Sequence, residues 1–334
     1  CGEPLSVNAD AIGYFRASYD ADTLAANTAR FGTLPAGDRL ALLDDQWALA
    51  SAGRAPLASY LALADAMGSD LVPRAWMQIA DSLEAVEEAE RGTPGHDAYV
   101  AYARSRVAPV FRQLGLEPKP GETPDLRRLR RRLFVDLGNW GDEAVLAEAR
   151  RRFAAFIVDH KAVAPDDQSA MLAVVAHYAD AATFEQMHAL AKGAQDAAEL
   201  PRFYGALAQV VDPVLASQVV DIALGSELPP QANTLPMQLV FRLAGRHPAL
   251  SWKAFSGHSD KILASDPMFA GLITAQYVPQ VYWSGVPLAE VEAFVRAHVP
   301  ESMAPVVERG MESAHLQLKR KETLVREADA YLKK

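Results

Sequence analysis

The chain has 334 residues, of which 50% are hydrophobic, 22% charged and 8% aromatic, and its formal net charge is −9. This composition is that of an ordinary globular protein, so it excludes a disordered tail, a fibrous repeat and a collagen. The acidic balance argues against a dedicated nucleic-acid binder, which would normally carry a basic excess. At roughly 150 residues per domain, the length indicates two domains or one elongated array of repeats.

The first predicted element is a β-hairpin over residues 4–19. Leu5 and Val7 alternate with polar residues, Asn8 to Asp10 supply turn residues, and residues 13–19 (GYFRASY) are rich in strand formers. Two strands alone are marginal in water, so they need a sheet that the remaining sequence does not offer. Residues 1–19 are therefore predicted to be the terminal strands of a preceding β-domain, and residues 20–334 a helical domain.

After residue 19 the apolar period changes from 2 to 3.6 and predicts a series of short helices. Pro73 can occupy the first turn of one of them. Glycines that mark helix ends are Gly53, Gly68 and Gly92. Residues predicted to cap helix starts are Asp125, Thr183 (in a capping box with Gln186), Asp212 and Asp266.

Short antiparallel helices in series, without strands between them, are typical of stacked helix pairs. The predicted fold class is therefore an all-α solenoid of the HEAT-like kind. Sequence self-similarity is weak, because residues 211–225 and 265–278 share only an Asp-Pro start and apolar spacing. The Pro/Gly-rich stretch 116–124 (LEPKPGETP) is the predicted internal boundary. The segment 301–334 is interpreted as a closing helix pair that caps the array.

The single cysteine, Cys1, leaves no second thiol for an internal disulfide or a CxxC zinc site. No window approaches the ~18 consecutive apolar residues of a transmembrane helix, and no signal-peptide pattern occurs. We therefore expect a soluble protein without a membrane span, in the cytoplasm or the periplasm. The chain starts on Cys1 and not on Met, and we expect either a fragment of a longer protein or a mature lipoprotein whose Cys1 carries the lipid.

Local signals of catalysis are missing from the sequence. No two of the 8 histidines are spaced i,i+3 or i,i+4, and no G-x-S-x-G, G-x-G-x-x-G or P-loop pattern occurs. Residues 257–260 place Gly, His, Ser and Asp side by side, but a working triad is assembled from separate segments, so we interpret them as a loop. No catalytic or metal-ligating residue is predicted in this chain.

Two arginine clusters, within 127–132 and at 150–152, contain candidate binding residues. One interpretation is a solvated face balanced by nearby Asp and Glu residues. The alternative is that a planar guanidinium group holds a carboxylate, such as the C-terminus of a peptide lying in a groove of the solenoid.

Residues 8–20 (NADAIGYFRASYD) resemble the pattern N-x-D-x-x-G-Y-[YF]-R-V-x-Y-[DE] of the zinc aminopeptidase family that includes puromycin-sensitive aminopeptidase and aminopeptidase N. Residues 38–50 (DRLALLDDQWALA) are similar to the family's D-R-x-x-L-[IL]-x-D-x-[WF]-x-L-A. The similarity continues at 129–130, 141–143, 245–255 and in the tail. The chain departs from the family pattern at His258-Ser259 and at Tyr331, where Trp is common.

The resemblance implies the C-terminal helical domain of such an enzyme, with catalytic and β-sandwich domains upstream in the same polypeptide. The family's G-x-M-E-N and H-E-x-x-H motifs are missing here, so zinc and the release of an N-terminal residue would belong to the upstream part. By the same resemblance, this domain would enclose the active-site chamber, bind peptide substrate and gate its entry. The chain alone would be inactive and would hold no cofactor.

The resemblance also places Arg130 and Arg246 within family-like segments, where they could contact a peptide carboxylate. Helix capping and ion pairing are the structural alternatives for both. If the enzyme interpretation fails, the chain is a free-standing α-solenoid scaffold that binds a peptide or protein, or a lipid-anchored binding protein that uses Cys1. The hairpin distinguishes these alternatives, because a scaffold has no need of strands from another domain.

Overall fold

The computed structural model describes residues 7, 8, 13, 15–68, 70–194, 196, 198–264 and 267–333. Helices dominate these residues, and no strand occurs among them, so the predicted all-α fold class is confirmed. The predicted hairpin lies largely outside the described residues, and residues 16–20, which are described, have no regular secondary structure. The helices form two compact units, Cys1–Asp142 with Arg320–Lys334, and Glu143–Lys319.

The helices of the first unit are α1 (Ala21–Ala29), α2 (Ala36–Ser51), α3 (Leu57–Ala66), α4 (Pro73–Glu90), α5 (His96–Leu114) and α6 (Pro124–Asn139). Helix α2 packs against α3 and α4, and α4, α5 and α6 pack against one another. Their apolar faces bury Tyr60, Trp76 and Tyr99 almost completely. Pro73 begins α4 as predicted. Gly53, which follows α2, has a φ of 66° that glycine adopts without strain.

The second unit begins with α7 (Glu143–Val158), α8 (Pro165–His177), α9 (Ala181–Lys192), α10 (Glu199–Leu207), α11 (Pro213–Leu224), α12 (Leu235–Ala244) and α13 (Pro248–Ile262). Then follow α14 (Pro267–Leu272), a π-helix at Ile273–Tyr277, α15 (Val278–Val281), α16 (Leu288–His298) and α17 (Ala304–Leu332). Consecutive helices pack in pairs, α7 with α8, α9 with α10, and α11 with α12. This pairing is the packing of a solenoid. Within the described residues, no helix is both long enough and apolar enough to cross a lipid bilayer.

The last turns of α17, residues 320–332, belong to the first unit. The Leu57 amide at the start of α3 donates a hydrogen bond to Glu327, and the Tyr331 hydroxyl donates to Asp65 at 2.8 Å. The final helix of the chain therefore packs on helices near its beginning.

Two local interpretations are wrong. The segment 301–334 is not a helix pair, because a short 3-10 turn at Glu301–Met303 leads into the single helix α17. Residues 311–332 contain neither Gly nor Pro and are rich in helix-forming Glu, Lys, Arg and Leu, so nothing interrupts the helix. Residues 257–260 are not a loop, since they lie inside α13. That helix is broken only locally at His258 (φ −143°), whose Nδ1 lies 3.2 Å from the Ala254 carbonyl oxygen.

Two predicted helix caps are displaced by two or three residues. Thr123, not Asp125, caps α6, since its hydroxyl accepts a hydrogen bond from the third amide of the helix at 3.4 Å. Asp180, not Thr183, caps α9, since its carboxylate accepts from the Thr183 amide at 2.8 Å. Acidic and hydroxyl side chains are favourable both at the cap and in the first turn, so the residue types alone do not choose the position.

Asp212 caps α11 as predicted, and its carboxylate accepts from the Val214 and Leu215 amides at 2.7 and 3.1 Å. The predicted cap Asp266 lies outside the described residues. The stretch 116–124 joins α5 to α6, two helices of the first unit. The division between compact units falls between Asp142 and Glu143.

The π-helix packs closely on α17 at Gly310. A β-carbon at Gly310 would lie 2.4 Å from the Ala275 carbonyl oxygen and 3.2 Å from the Cα of Gln276. Because backbone atoms occupy this space, only glycine permits the approach.

We expect Gly310→Ala to lower the free energy of unfolding by about 1–3 kcal/mol, since the added methyl group forces the packed backbone apart. Gly257→Ala is the matched control, because a β-carbon there meets no atom within 4 Å. That control should stabilise the protein by up to about 1 kcal/mol, as alanine does in helices. Urea denaturation followed by circular dichroism measures both, and equal effects of the two substitutions would contradict the close contact.

Candidate functional site

Arg130, one of the two predicted substrate-binding residues, lies on α6 and is only 5% exposed. Its guanidinium group donates to both carboxylate oxygens of Glu122, from Nη1 at 2.6 Å and from Nη2 in a still shorter contact. It also donates to the carbonyl oxygens of Gly115 at 2.9 Å and Leu114 at 3.3 Å, where α5 ends. A peptide carboxylate would therefore have to displace Glu122 to reach this side chain.

The Arg130 contacts have an electrostatic consequence for Glu122. Hydrogen bonds from Arg130 hold the pKa of the Glu122 carboxyl below its usual value, so this group is ionised at neutral pH. The pair thus fixes the loop before α6 to the end of α5. The predicted role of Arg130 in substrate binding stays a prediction.

Arg132, on the same helix, contacts acidic side chains of two elements. Its guanidinium group pairs with Asp136 at 2.9 Å, with Glu84 on α4 at 2.8 Å and, more closely still, with Asp81. These pairs connect α6 to α4.

In the second cluster, Arg151 and Arg152 both pair with Glu148 at 2.7 Å. The hydrogen bonds from the two arginines lower the pKa of Glu148 to about 2. Acidic neighbours therefore balance the charges of Arg132, Arg151 and Arg152. This agrees with the interpretation of the arginine clusters as a face balanced by nearby Asp and Glu residues.

Arg246, the other predicted substrate-binding residue, is partly exposed and lies in the turn between α12 and α13. The next residue, His247, places Nε2 2.9 Å from the Val210 carbonyl oxygen, in the turn between α10 and α11. The Val211 amide in turn donates to the His177 carbonyl at 3.2 Å, at the end of α8. The ends of alternate helices, α8, α10 and α12, are therefore linked in a row by hydrogen bonds, and Arg246 lies in the turn that follows α12. Its role in substrate binding stays a prediction.

Glu227, in the connection after α11, is the centre of a polar cluster that sequence reasoning misses. Its Oε1 lies 2.7 Å from His188 Nε2 and accepts a hydrogen bond from the Tyr204 hydroxyl at 2.9 Å. Lys192 Nζ lies 3.5 Å from Oε2. His188 and Lys192 are four residues apart on α9 and so share a helix face, but nothing in the sequence pairs them with a glutamate beyond α11.

The cluster opens on a pocket of about 260 Å³, lined by residues that include Lys192, Asp196, Tyr204, Glu227 and Gln231. Burial acts to raise the pKa of Glu227, but the hydrogen bonds from His188 and Tyr204 outweigh it and leave the pKa below its usual value. Glu227 is therefore an anion at neutral pH, held at one oxygen and facing a pocket. Such a site can bind a ligand through charge.

Among the described residues, no three His, Cys, Asp or Glu side chains form a group that could hold a metal ion.

Comparison with known proteins places the chain among aminopeptidase domains. A family model described as "ERAP1-like C-terminal domain" matches residues 5–316. Aminopeptidase M1 of Arabidopsis thaliana is 27% identical, over 97% of this chain and 38% of that protein. Aminopeptidase M1-A of Oryza sativa subsp. japonica is 28% identical, over 74% and 29%. Puromycin-sensitive aminopeptidase of Caenorhabditis elegans is 23% identical, over 56% and 20%. The chain thus spans well under half the length of these relatives.

We expect Arg130→Met to lower the free energy of unfolding by about 2 kcal/mol or more, because the substitution removes charge-assisted hydrogen bonds and leaves Glu122 unpaired. Arg127→Met is the control, since Arg127 is an exposed arginine on the same helix. It should change stability by less than about 0.5 kcal/mol. Urea denaturation measures both variants, and indistinguishable curves for the two would show that the contacts of Arg130 do not stabilise the fold.

Proposed function

Because this chain belongs to the ERAP1-like C-terminal domain family, we propose that it is the helical domain of a longer zinc aminopeptidase that removes N-terminal residues from peptides. The observation that carries the proposal is the family match over residues 5–316, nearly the whole chain. The chain covers only 38% of Aminopeptidase M1, and the remaining length of that relative has room for a separate catalytic part.

The proposal divides the work between two parts of one polypeptide. Upstream domains would bind zinc, which supplies an activated water for cleavage of the peptide bond. The helical domain would enclose the active-site chamber, contact the peptide beyond the cleaved bond and gate its entry.

We expect the purified chain to show no hydrolysis of aminoacyl-nitroanilides and no stoichiometric zinc, whereas the longer protein shows both. The coding sequence upstream of Cys1 is the accompanying check, and it should contain H-E-x-x-H and a downstream Glu. A start codon or a lipoprotein signal directly before Cys1 would overturn the proposal. The better account would then be a free-standing solenoid that binds a peptide or protein.

In the proposed enzyme, Arg246 would contact the peptide substrate. It lies in the turn between α12 and α13 and is partly exposed, so a ligand can approach its side chain. A guanidinium group recognises a carboxylate through its planar pair of donors. The ligand group that Arg246 would recognise is therefore the C-terminal carboxylate of a peptide.

In the longer protein, we expect Arg246→Ala to raise KM about tenfold for peptides with a free C-terminus, since a lost charge-assisted contact is worth about 1.4 kcal/mol or more. The same peptides with an amidated C-terminus should be unaffected. Arg309→Ala is the control, because Arg309 is an exposed arginine on α17. Steady-state kinetics on both peptide series measures the KM values. An equal rise in KM for both series would contradict carboxylate recognition.

A further inference from the structure

We propose that the pocket beside Glu227 binds a free α-amino acid in its zwitterionic form. The choice of ligand rests on the proposed function, because free amino acids are the products that an aminopeptidase releases. The pocket is built from α9, α10, the connection between these two helices and the connection after α11.

The Glu227 carboxylate can bind a cationic group. Its Oε1 is occupied by His188 and Tyr204, at 2.7 and 2.9 Å. Its Oε2 has one contact among the described residues, with Lys192 Nζ at 3.5 Å, which is longer than the roughly 2.7–3.2 Å of a good N–H···O hydrogen bond. Because each carboxylate oxygen can accept about two hydrogen bonds, Oε2 can still accept from an ammonium group.

Lys192 supplies the opposite charge at the same place. Its side chain is 53% exposed, and an ion pair so exposed and so long contributes little, about 0–1 kcal/mol. The lysine can therefore turn from Glu227 to the carboxylate of a ligand without destabilising the fold. Its ammonium group has three N–H donors for the carboxylate of a ligand. The ionised Glu227 has no donor for that carboxylate, because it only accepts hydrogen bonds.

The pocket also offers a second carboxylate and an apolar wall. Asp196 Oδ1 accepts from the amides of Ala198 and Glu199, both at 2.8 Å, and this fixes the aspartate at the rim. Leu200 and Pro229 line the same pocket and can contact an aliphatic side chain.

Size and charge spacing together favour an amino acid. The pocket volume of about 260 Å³ leaves room for a small ligand such as an amino acid. Because Lys192 and Glu227 are adjacent, a ligand must carry its ammonium and carboxylate groups close together. An α-amino acid carries both groups on its α-carbon. A simple amine would pair only with Glu227, and a simple carboxylate only with Lys192. In a peptide, the terminal ammonium and carboxylate groups are too far apart to pair with both.

Titration calorimetry on the 334-residue chain at neutral pH tests the proposal with three ligands. Leucine should bind with a Kd of about 1 mM, as its small size allows. Leucinamide, which lacks the carboxylate, and N-acetyl-leucine, which lacks the ammonium group, should each bind about tenfold more weakly or not at all. Absence of leucine binding at saturating concentration, or equal binding of leucine and leucinamide, would overturn the proposal.

Substitutions connect the binding to this pocket. Lys192→Met should weaken leucine binding about tenfold and leave the circular dichroism spectrum unchanged, because the side chain is half exposed. Glu227→Gln should weaken binding of leucine and abolish any difference between leucine and N-acetyl-leucine. Lys161→Met, at an exposed lysine that does not line the pocket, should have no effect. Unchanged binding by Lys192→Met, or equal losses in both lysine variants, would place the ligand elsewhere.

The test separates this inference from the proposed function. Leucine binding is measured on the chain itself and involves no hydrolysis. If the upstream sequence contains no zinc motif but leucine binds, the enzyme proposal fails and the amino-acid site stands. If the longer protein is an aminopeptidase but leucine does not bind, only the amino-acid site is wrong.

Discussion

Unsatisfied backbone groups at helix ends are the constraint on which the rest of this structure depends. Every helix leaves amides at its start and carbonyls at its end without intrahelical partners, and short helices in series multiply such ends. In this protein, charged side chains of neighbouring helices satisfy many of them. Arg104 on α5 donates to the Trp140 and Gly141 carbonyls at 3.1 Å each, where α6 ends. Lys261 on α13 donates to the Leu224 carbonyl at the end of α11, and Arg242 on α12 donates to Gly205 on α10 at 2.9 Å.

This constraint explains why a basic residue in a helical array is a poor indicator of ligand binding. Arg130 is the clearest case, because the geometry that would recognise a peptide carboxylate instead binds Glu122 and the last carbonyls of α5. Charged side chains that can bind a ligand are those in helix connections whose charge is only partly balanced by their neighbours. Glu227 is such a group, since His188 and Tyr204 bind one of its oxygens and Lys192 approaches the other loosely.

Hydrogen bonds between side chains also hold the last turns of α17 in place. Tyr331 stands where the resembled family commonly has Trp, and its hydroxyl donates to Asp65 at 2.8 Å. Tyr102 and Arg106 also donate to Asp65, at 3.1 and 3.0 Å. These three side chains and Asp65 form a hydrogen-bonded cluster that joins α17 to α3 and α5. A second contact at this end is the Arg320 guanidinium group, whose Cζ lies 5.3 Å from the centroid of the Trp47 ring.

Features that depend on local backbone conformation can be predicted from the sequence. Apolar spacing indicates the helices, Pro73 begins α4, Asp212 caps α11, and Gly53, with its positive φ, follows the end of α2. The family resemblance, carried by ordered motifs along the chain, is likewise local information, and the family match confirms it. Contacts between distant segments, such as His188 with Glu227 and Gly310 with the π-helix, cannot be predicted in this way and are known only from the folded chain. The physical reason is that a periodic pattern specifies which face of a helix is buried, whereas the partner of each polar group depends on how the helices stack.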